Sequence, residues 1–301
     1  MSNILFDAPG PRARVRHRLL AVLGALVLLG ALAYIGWRFY DSGQFTARKW
    51  EWLQYKQVQQ DLISAILATL QAFALGAVLA LVFGAVFAAG RLSEHKPVRQ
   101  VSAFIVELFR AIPLLILMFL FYYGLPKAGI EMSPYLAVVL GLMLYNGSVL
   151  AEVFRAGIQS LPRGQAEAAY ALGMRKTQVM VFILIPQALR AMMPTIISQL
   201  VVLLKDTALG FLITYDELLK YAQYIGGQGA FSRPFVPTAI VVAAIYIGMC
   251  LLLTWLATYL QKRERRSKKH IDLTDGGAKA KQIALIADAG GGGGAGTGGA
   301  A

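Results

Sequence analysis

The sequence predicts an all-α membrane protein with about six transmembrane helices, and three observations support this class. The chain is 57% hydrophobic with a mean hydropathy of +0.58, whereas a soluble domain is usually about 45–50% apolar. Several segments continue for roughly 18 residues without a charge, which is the length needed to cross a bilayer. The basic residues behind the net charge of +13 cluster at the ends of these segments, which is typical of membrane proteins and argues against nucleic-acid binding.

The first two spans are predicted at residues 19–39 and 62–90. The first follows a basic segment, and Ala31-Leu32-Ala33 leaves a cleavable signal peptide as the alternative. An uncleaved span is favoured because the apolar stretch continues past that site. The second span carries small residues at every fourth position, a pattern that lets two helices pack closely, in this chain or with another. These small residues are Ala72, Gly76, Ala80, Gly84 and Ala88.

The four later spans are expected at residues 100–124, 134–154, 187–209 and 238–260. Pro113 lies inside the third span and should kink its helix, because a proline removes one backbone hydrogen bond. Between the fifth and sixth spans, residues 216–224 are expected to form a short surface helix.

The distribution of lysine and arginine predicts the orientation of these spans. Placing both termini in the cytoplasm puts the most basic segments inside, as the positive-inside rule requires. The basic segments are residues 12–18, 91–99, 155–190 and 262–269. These features divide the sequence into three regions. They are residues 1–61 with the first span, a core at 62–262, and a tail at 263–301 that is expected to end in a Gly-rich, disordered stretch.

The loop between the fourth and fifth spans contains the stretch EAAYALGMRKTQVMVFILIP, residues 167–186. Pro162 suits the first turn of a helix, and Gly173 can adopt the left-handed conformation that closes one. Thr177 is the expected cap of a second helical run that ends before Pro186. The loop should therefore form two short helices joined by a sharp turn.

This stretch resembles the EAA loop of permease subunits of ATP-binding-cassette (ABC) importers. The match consists of Glu167-Ala168-Ala169, then Gly173, then Ile183-x-Ile185-Pro186, where the family usually has Leu in place of Ile185. The resemblance implies a coupling helix that docks into a cleft of a cytoplasmic ATPase; an ordinary interfacial amphipathic helix is the alternative. The implied coupling residues are Glu167, Ala168, Ala169, Gly173 and Arg175, and Lys176 offers a further charge.

Three other stretches, at residues 106–126, 151–157 and 203–219, resemble the polar-amino-acid branch of these permeases. The resemblance covers roughly residues 62–262, and the first and third spans look most like glutamate permeases of high-GC Gram-positive bacteria. It implies a five-span core in the bacterial plasma membrane that imports a polar amino acid, with glutamate favoured. The implied partners are an ATPase dimer, a second permease subunit that is the same or a homologous chain, an extracytoplasmic amino-acid-binding protein and membrane lipid.

Charged side chains within spans are costly, so each is a functional candidate. Glu107 with Arg110, and Glu152 with Arg155, are spaced i and i+3, so each pair should neutralise itself on one helix face. Exchange of partners between the two pairs would form an inner gate; simple anchoring of each helix is the alternative.

A second group of polar residues could line a substrate path. Lys205 and Asp206, near the outer end of the fifth span, either pair with each other or contact a zwitterionic substrate or the binding protein. The remaining candidates could equally form interhelical hydrogen bonds. They are Thr69, Gln71, Asn146, Ser148, Ser198 and Gln199.

The sequence lacks the motifs that are typical of several other classes of protein. The sequence contains no G-x-x-x-x-G-K-[ST], so the chain should hold no ATP or Mg²⁺ itself, and both are expected on the partner ATPase. Three scattered histidines and no H-E-x-x-H predict no metal site. No nucleophile–base pair suggests an enzyme. An ion-gradient-driven secondary transporter of amino acids is the main rival, but the inverted repeats and midplane ionisable groups of that class are not evident.

Overall fold

The computed structural model describes residues 10–269 and is built from helices and turns in this range. The helices are α1 (Pro11–Asp41), α2 (Lys56–Arg91), α3 (Lys96–Ala111), α4 (Leu114–Phe119), α5 (Pro134–Gln159), α6 (Arg163–Ala171), α7 (Lys176–Gln178), α8 (Ile185–Asp206), α9 (Leu218–Gly227) and α10 (Phe235–Lys269). A π-helical turn, Leu120–Gly124, extends α4, and a second one, Val179–Leu184, joins α7 to α8.

Five of the described helical segments are long and apolar enough to cross a membrane, and the α3–α4 pair passes the same test when it is counted as one. The all-α membrane fold with about six spans is therefore confirmed. The first helix begins at Pro11, eight residues before the predicted span, and proline fits this first-turn position. The Gly-rich stretch predicted to be disordered lies outside the described residues.

The third span is broken rather than kinked, which corrects the expectation for Pro113. The segments on either side of the break, Lys96–Ala111 and Leu114–Ala128, are bent by 96°. Ile112 has an extended backbone (φ −86°, ψ 125°). A proline disfavours the helical conformation of the residue before it, so the chain leaves the helix at Ile112 and restarts after Pro113.

The broken pair nevertheless carries the chain from one end of the helix bundle to the other. Contacts between α2 and α5 advance together along both helices: Gly76 lies against Leu142, and Arg91 lies against Glu152. The two helices are therefore parallel. Because α2 ends where α5 also ends, the chain must cross back through α3 and α4 before α5 begins.

The stripe of small residues on α2 packs against α5 of the same chain, and all five of its members are buried. A Cβ added at Gly84 would lie only 2.9 Å from the Cβ of Leu150 and 3.1 Å from the carbonyl oxygen of Gly147. A Cβ at Gly147 would in turn lie 3.1 Å from the carbonyl oxygen of Ala80. The pattern was thus a packing face, and its glycines allow the two backbones to touch.

The fifth span begins at Lys176 rather than at residue 187 and continues as one helical segment to Ile213. Arg175, not Thr177, is the residue before its first turn, and Pro186 does not end it. The π turn Val179–Leu184 precedes the proline. We attribute the continuity to this change in hydrogen-bond spacing, which accommodates the proline ring and its missing N–H. The helix also continues through Pro194.

The described chain divides into two compact units, residues 10–71 with 210–245 and residues 72–209 with 246–269. In the first unit, the buried Glu217 caps α9 by accepting the backbone N–H groups of Leu219 and Lys220 at 2.8 and 2.7 Å. The buried Thr69 hydroxyl accepts the N–H of Leu218 at 3.1 Å. The predicted surface helix is therefore shifted by a few residues and has one buried face, and Thr69 has a structural role.

Candidate functional site

The loop that follows α5, residues 160–178, forms the expected helix and sharp turn, and we call it the α6 loop. Helix α6 follows Pro162, and Gly173 has the positive φ of +77° that the left-handed conformation requires. The N–H groups of Gly173 and Met174 donate to the carbonyls of Tyr170 and Ala169, at 2.9 and 3.2 Å. These bonds satisfy the last carbonyls of α6. The turn therefore fixes the direction in which α6 presents its residues.

Most of the predicted coupling residues lie on the surface of the chain: Glu167, Ala168, Gly173 and Arg175 are exposed. Ala169 is different, because it is buried within the chain and cannot touch a partner directly. Sequence reasoning missed Tyr170 and Leu172, two exposed apolar side chains at the end of α6; Leu172 is 83% exposed. Large apolar residues directly before a helix-closing glycine in a polar loop were the available signal.

Lys176 is engaged within its own chain, contrary to the expectation that it offers charge to a partner. Its Nζ lies 2.9 Å from Glu94 Oε1 and 3.3 Å from the carbonyl oxygen of Leu92, both in the segment that joins α2 to α3. The hydrogen bond and the charge of Lys176 hold the pKa of Glu94 below its ordinary value. We call Lys176, Glu94 and the Leu92 carbonyl the Lys176 clasp.

The predicted pair Glu152–Arg155 is present on α5. The Nε of Arg155 donates to Glu152 at 2.9 Å, and a second guanidinium nitrogen contacts the other carboxylate oxygen. Such two-point contact fixes both side chains more firmly than a single bond. Arg155 also donates to Gln159, one turn further along the helix.

The predicted pair Glu107–Arg110 is not formed, although the structure describes both residues. Glu107 instead faces Arg91 at the end of α2, at 3.8 Å, and Arg91 also lies 3.3 Å from Glu152. The Arg91 side chain is only 13% exposed, so it needs a nearby carboxylate. We call Arg91, Glu107, Glu152 and Arg155 the Arg91 cluster. Arg91 was missed because its position at a span end marked it only as a basic boundary residue.

Three of the predicted path residues form a connected network between α5 and α8. Gln199 Nε2 donates to Asn146 Oδ1 at 2.7 Å, and Asn146 Nδ2 donates to Asp206 Oδ2 at 3.2 Å. Asn146 is fully buried. Of the two alternatives for Lys205 and Asp206, mutual pairing is not formed within the described residues, and Lys205 is exposed. A buried amide therefore orients a carboxylate from a neighbouring helix.

The two serines of the predicted path differ from this network. Ser198 is exposed, and its hydroxyl donates to the carbonyl of Pro194, one turn earlier on the same helix, at 3.0 Å. Ser148 is fully buried, and its hydroxyl has no hydrogen-bond partner among the described residues. Neither serine is joined to Asn146 by a hydrogen bond in the described range.

A cavity of about 560 Å³ lies beside the Lys176 clasp, between the ends of α2 and α5 and the beginning of the α7–α8 segment. Small residues of α2 form one wall, and Met180, Ile185 and Met192 form the opposite one. Glu94 and Lys176 are among the polar residues that line it. The start of α7–α8 is therefore not tightly packed against α2.

Comparison with known proteins matches residues 80–266 to the family described as "binding-protein-dependent transport system inner membrane component". The glutamate transport system permease protein GluD of Corynebacterium glutamicum is 42% identical over 76% of this chain and 85% of its own length. The probable glutamine ABC transporter permease protein GlnP of Bacillus subtilis is 35% identical over 67% of this chain and 93% of its own length.

A solved structure, described as an amino acid ABC transporter with histidines, is also similar, with 30% identity and a TM-score of 0.63 over 70% of this chain and 98% of that one. The family match contains the α6 loop, the Arg91 cluster and the Asn146 network. This chain therefore belongs to the binding-protein-dependent transport system inner membrane components, the permease subunits of ABC transporters.

Proposed function

We propose that this chain imports a polar amino acid, with glutamate as the first candidate, and that a separate ATPase drives the transport. The observation that carries the proposal is the exposed α6 helix and its Gly173 turn, placed between two membrane spans. The substrate assignment is supported by the glutamate and glutamine permeases among the relatives. With both termini in the cytoplasm, α6 faces the compartment that contains ATP.

Helix α6 is the proposed contact with the ATPase dimer. Leu172 and Tyr170 offer exposed apolar surface that would be buried in a cleft, and burial of apolar surface is the dominant favourable term in most protein–protein association. Glu167 and Arg175 add exposed charges on the same loop, and Ala168 permits close approach. Ala169 holds α6 to its own chain instead. ATP and Mg²⁺ belong to the ATPase, because this chain has no P-loop sequence.

The transport cycle requires two further partners. An extracytoplasmic amino-acid-binding protein delivers the substrate, and a second permease, the same or a homologous chain, completes the pathway across the membrane. Closure of the ATPase dimer on ATP would draw the two α6 loops together. The spans then change from an inward-facing to an outward-facing arrangement, and ATP hydrolysis restores the first state.

The Arg91 cluster is the proposed inner gate. The earlier candidates Glu107, Arg110, Glu152 and Arg155 lie on α3 and α5, and Arg91 brings a third helix to them. Its guanidinium already contacts carboxylates from both helices. A small displacement of α2 could therefore strengthen one contact at the expense of the other. This is an exchange of partners, but through Arg91 rather than between two separate pairs.

The substrate path is proposed to pass the Asn146 network. Asn146, Gln199 and Asp206 offer hydrogen-bond donors and acceptors for the ammonium and carboxylate groups of an amino acid. Lys205 is exposed one residue before Asp206 and is a candidate contact for an acidic substrate or the binding protein. Ser148 and Ser198 remain candidates for the path, with Ser198 the weaker one because its hydroxyl bonds to its own helix.

Purification of the tagged chain from its native host in mild detergent tests the ATPase contact. We expect a P-loop ATPase to co-purify with the wild-type chain and to be lost in Glu167→Lys and depleted in Leu172→Ala. Leu28→Ala is the matched control, because Leu28 is also an exposed leucine, at 61% against 83% for Leu172, but lies on α1, outside the family match. It should leave the ATPase yield unchanged.

Two outcomes would contradict the proposal. Equal ATPase yield from the wild type, Glu167→Lys and Leu172→Ala would exclude α6 as the docking site. A chain that purifies alone and still supports gradient-driven uptake in vesicles would favour a secondary transporter over an ATP-driven importer.

A further inference from the structure

The Lys176 clasp connects two segments that are far apart in the sequence. Lys176 is the first residue of α7, directly after the exposed Arg175, and its partners Leu92 and Glu94 lie 84 and 82 positions earlier. The α6 loop is therefore tied to the end of α2 by an ion pair and a hydrogen bond. No other side chain of the described 163–178 segment makes an ion pair to another helix or loop.

The clasp is poorly explained as a stabilising element. The Glu94 side chain is 75% exposed, and exposed ion pairs contribute little to stability because water screens them and the side chains lose freedom. The bond to Leu92 differs because its acceptor is a backbone carbonyl at the end of a helix. Leu92 directly follows the last residue of α2, where carbonyl groups lack partners within the helix, and a cation is favoured at that end. Lys176 therefore holds the end of α2 through the backbone.

The same turn of α2 holds the Arg91 cluster. Arg91 is the residue before Leu92, and its guanidinium contacts Glu152 of α5 at 3.3 Å and Glu107 of α3 at 3.8 Å. Two adjacent residues thus connect the α6 loop on one side with α3 and α5 on the other. A displacement of Lys176 pulls on the backbone that carries Arg91.

The neighbouring structure leaves room for such a displacement. The clasp residues line the cavity of about 560 Å³, together with the alanines of α2 at positions 85, 88 and 89, whose small side chains fill little of it. The π turn Val179–Leu184 follows α7, and π turns within helices are frequent at functional sites. The described polar contacts between the start of α7–α8 and the segment after α2 are therefore those of the clasp.

We propose that Lys176 and Glu94 are positioning residues that transmit the movement of the ATPase-docked α6 loop to the end of α2 and hence to the Arg91 cluster. This inference rests on the proposed ATP-driven import. When the α6 loop moves with the ATPase, Lys176 displaces Leu92 and Glu94. Arg91, next to Leu92, then moves closer to one of its two partners, Glu107 or Glu152, and away from the other.

The test is the number of substrate molecules taken up per ATP hydrolysed, measured in proteoliposomes with the complete transporter. Lys176→Met keeps the stem of the side chain and removes the ammonium group. We expect ATPase assembly to be retained and the uptake per ATP to fall at least about fivefold, the lower end of typical coupling between sites. A purely structural defect would reduce both rates together and leave the ratio unchanged.

Three further variants sharpen this test. Lys176→Arg retains charge and donors and should keep the ratio within about twofold of the wild type. Glu94→Gln, at an exposed position, should lower the ratio less than Lys176→Met, because the Leu92 bond remains. Lys220→Met is the matched control: Lys220 likewise binds one carboxylate and one carbonyl, those of Asp216 and Thr214, but on a different unit. It should leave the ratio unchanged.

The outcomes distinguish failure of the transmission role of the clasp from failure of the proposed ATP-driven import. A wild-type ratio in both Lys176→Met and Glu94→Gln would overturn the transmission role, while import by the wild type still stands. Loss of the ATPase from Lys176→Met alone would also overturn it, because the clasp would then serve docking. If the wild-type chain itself shows no ATP-dependent uptake, the proposed function fails, and the transmission role fails with it.

Discussion

The contact between α2 and α5 differs in character at its two ends. Along the stripe that includes Gly76 and Gly84, the helices touch through backbone and small side chains, with no room for one more methyl group at Gly84. At Arg91 the contact that the structure describes is between long charged side chains, beside an open cavity. The same two helices are therefore tightly packed over one part and adjustably joined over the other.

This difference suggests which part of the permease moves as a rigid body. Packed interfaces resist gradual deformation, so α2 and α5 should stay together along the stripe. Side-chain contacts between charges can exchange partners with little change in backbone position. Conformational change should therefore concentrate at the Arg91 end, where the α6 loop is attached, while the stripe carries the displacement along the spans.

The largest effect is expected from Glu152→Ala, which removes the shared partner of Arg91 and Arg155. Arg91 would keep only the more distant Glu107 while remaining largely buried, so the free energy of unfolding should fall by about 3 kcal/mol or more. Glu107→Ala is the control, because Glu107 is 68% exposed and 3.8 Å from Arg91, and its loss should cost less than about 1 kcal/mol. Thermal unfolding in detergent measures both changes, and equal losses would contradict a cluster centred on Glu152.

Gly84→Ala tests the rigid part of the contact and should have an intermediate effect. The added methyl group meets a Cβ and a backbone carbonyl, neither of which can rotate away, so overpacking should cost about 1–3 kcal/mol. Gly248→Ala is the matched control, because a Cβ at Gly248 of α10 meets nothing within 4 Å. If both variants unfold at the same temperature, the stripe is not the tight interface inferred from its geometry.

The smallest effect concerns the pH dependence of the Lys176 clasp. Lys176 lowers the pKa of Glu94, so the ion pair persists as the pH falls and is lost only when the pH passes through the lowered pKa. The ratio of uptake to ATP hydrolysis should therefore stay constant down to about pH 5 on the α6 side of the membrane. The contradicting result is a ratio that declines between neutral pH and about pH 5 in the wild type but not in Lys176→Met. It would mean that the ion pair between Lys176 and Glu94 is lost before the pKa of Glu94 is reached.

Most of the architecture could be predicted from the sequence because it depends on local patterns. Apolar length identified the spans, and the four-residue spacing of small residues identified the packing face of α2. The α6 loop was recognisable from its spacing, and Gly173 has the positive φ that its position predicted. Each of these features is encoded within one segment of the chain.

The errors arose where an outcome depends on a second segment or on a choice between backbone alternatives. Pro113 and Pro186 look alike in the sequence, yet the first breaks the helix and the second is accommodated after a π turn. Glu107 has a suitable partner at i+3, but the structure places it beside Arg91 on another helix. Asp206 likewise accepts a bond from Asn146, sixty residues earlier, and not from its neighbour Lys205.

The most direct test of the account is uptake by proteoliposomes that contain the chain, its co-purifying ATPase and the binding protein. Radiolabelled glutamate should accumulate only with ATP on the α6 side, should be insensitive to ionophores that collapse ion gradients, and should be lost in Glu167→Lys. Uptake that proceeds without ATP and disappears with the ionophore would contradict ATP-driven import through the α6 loop.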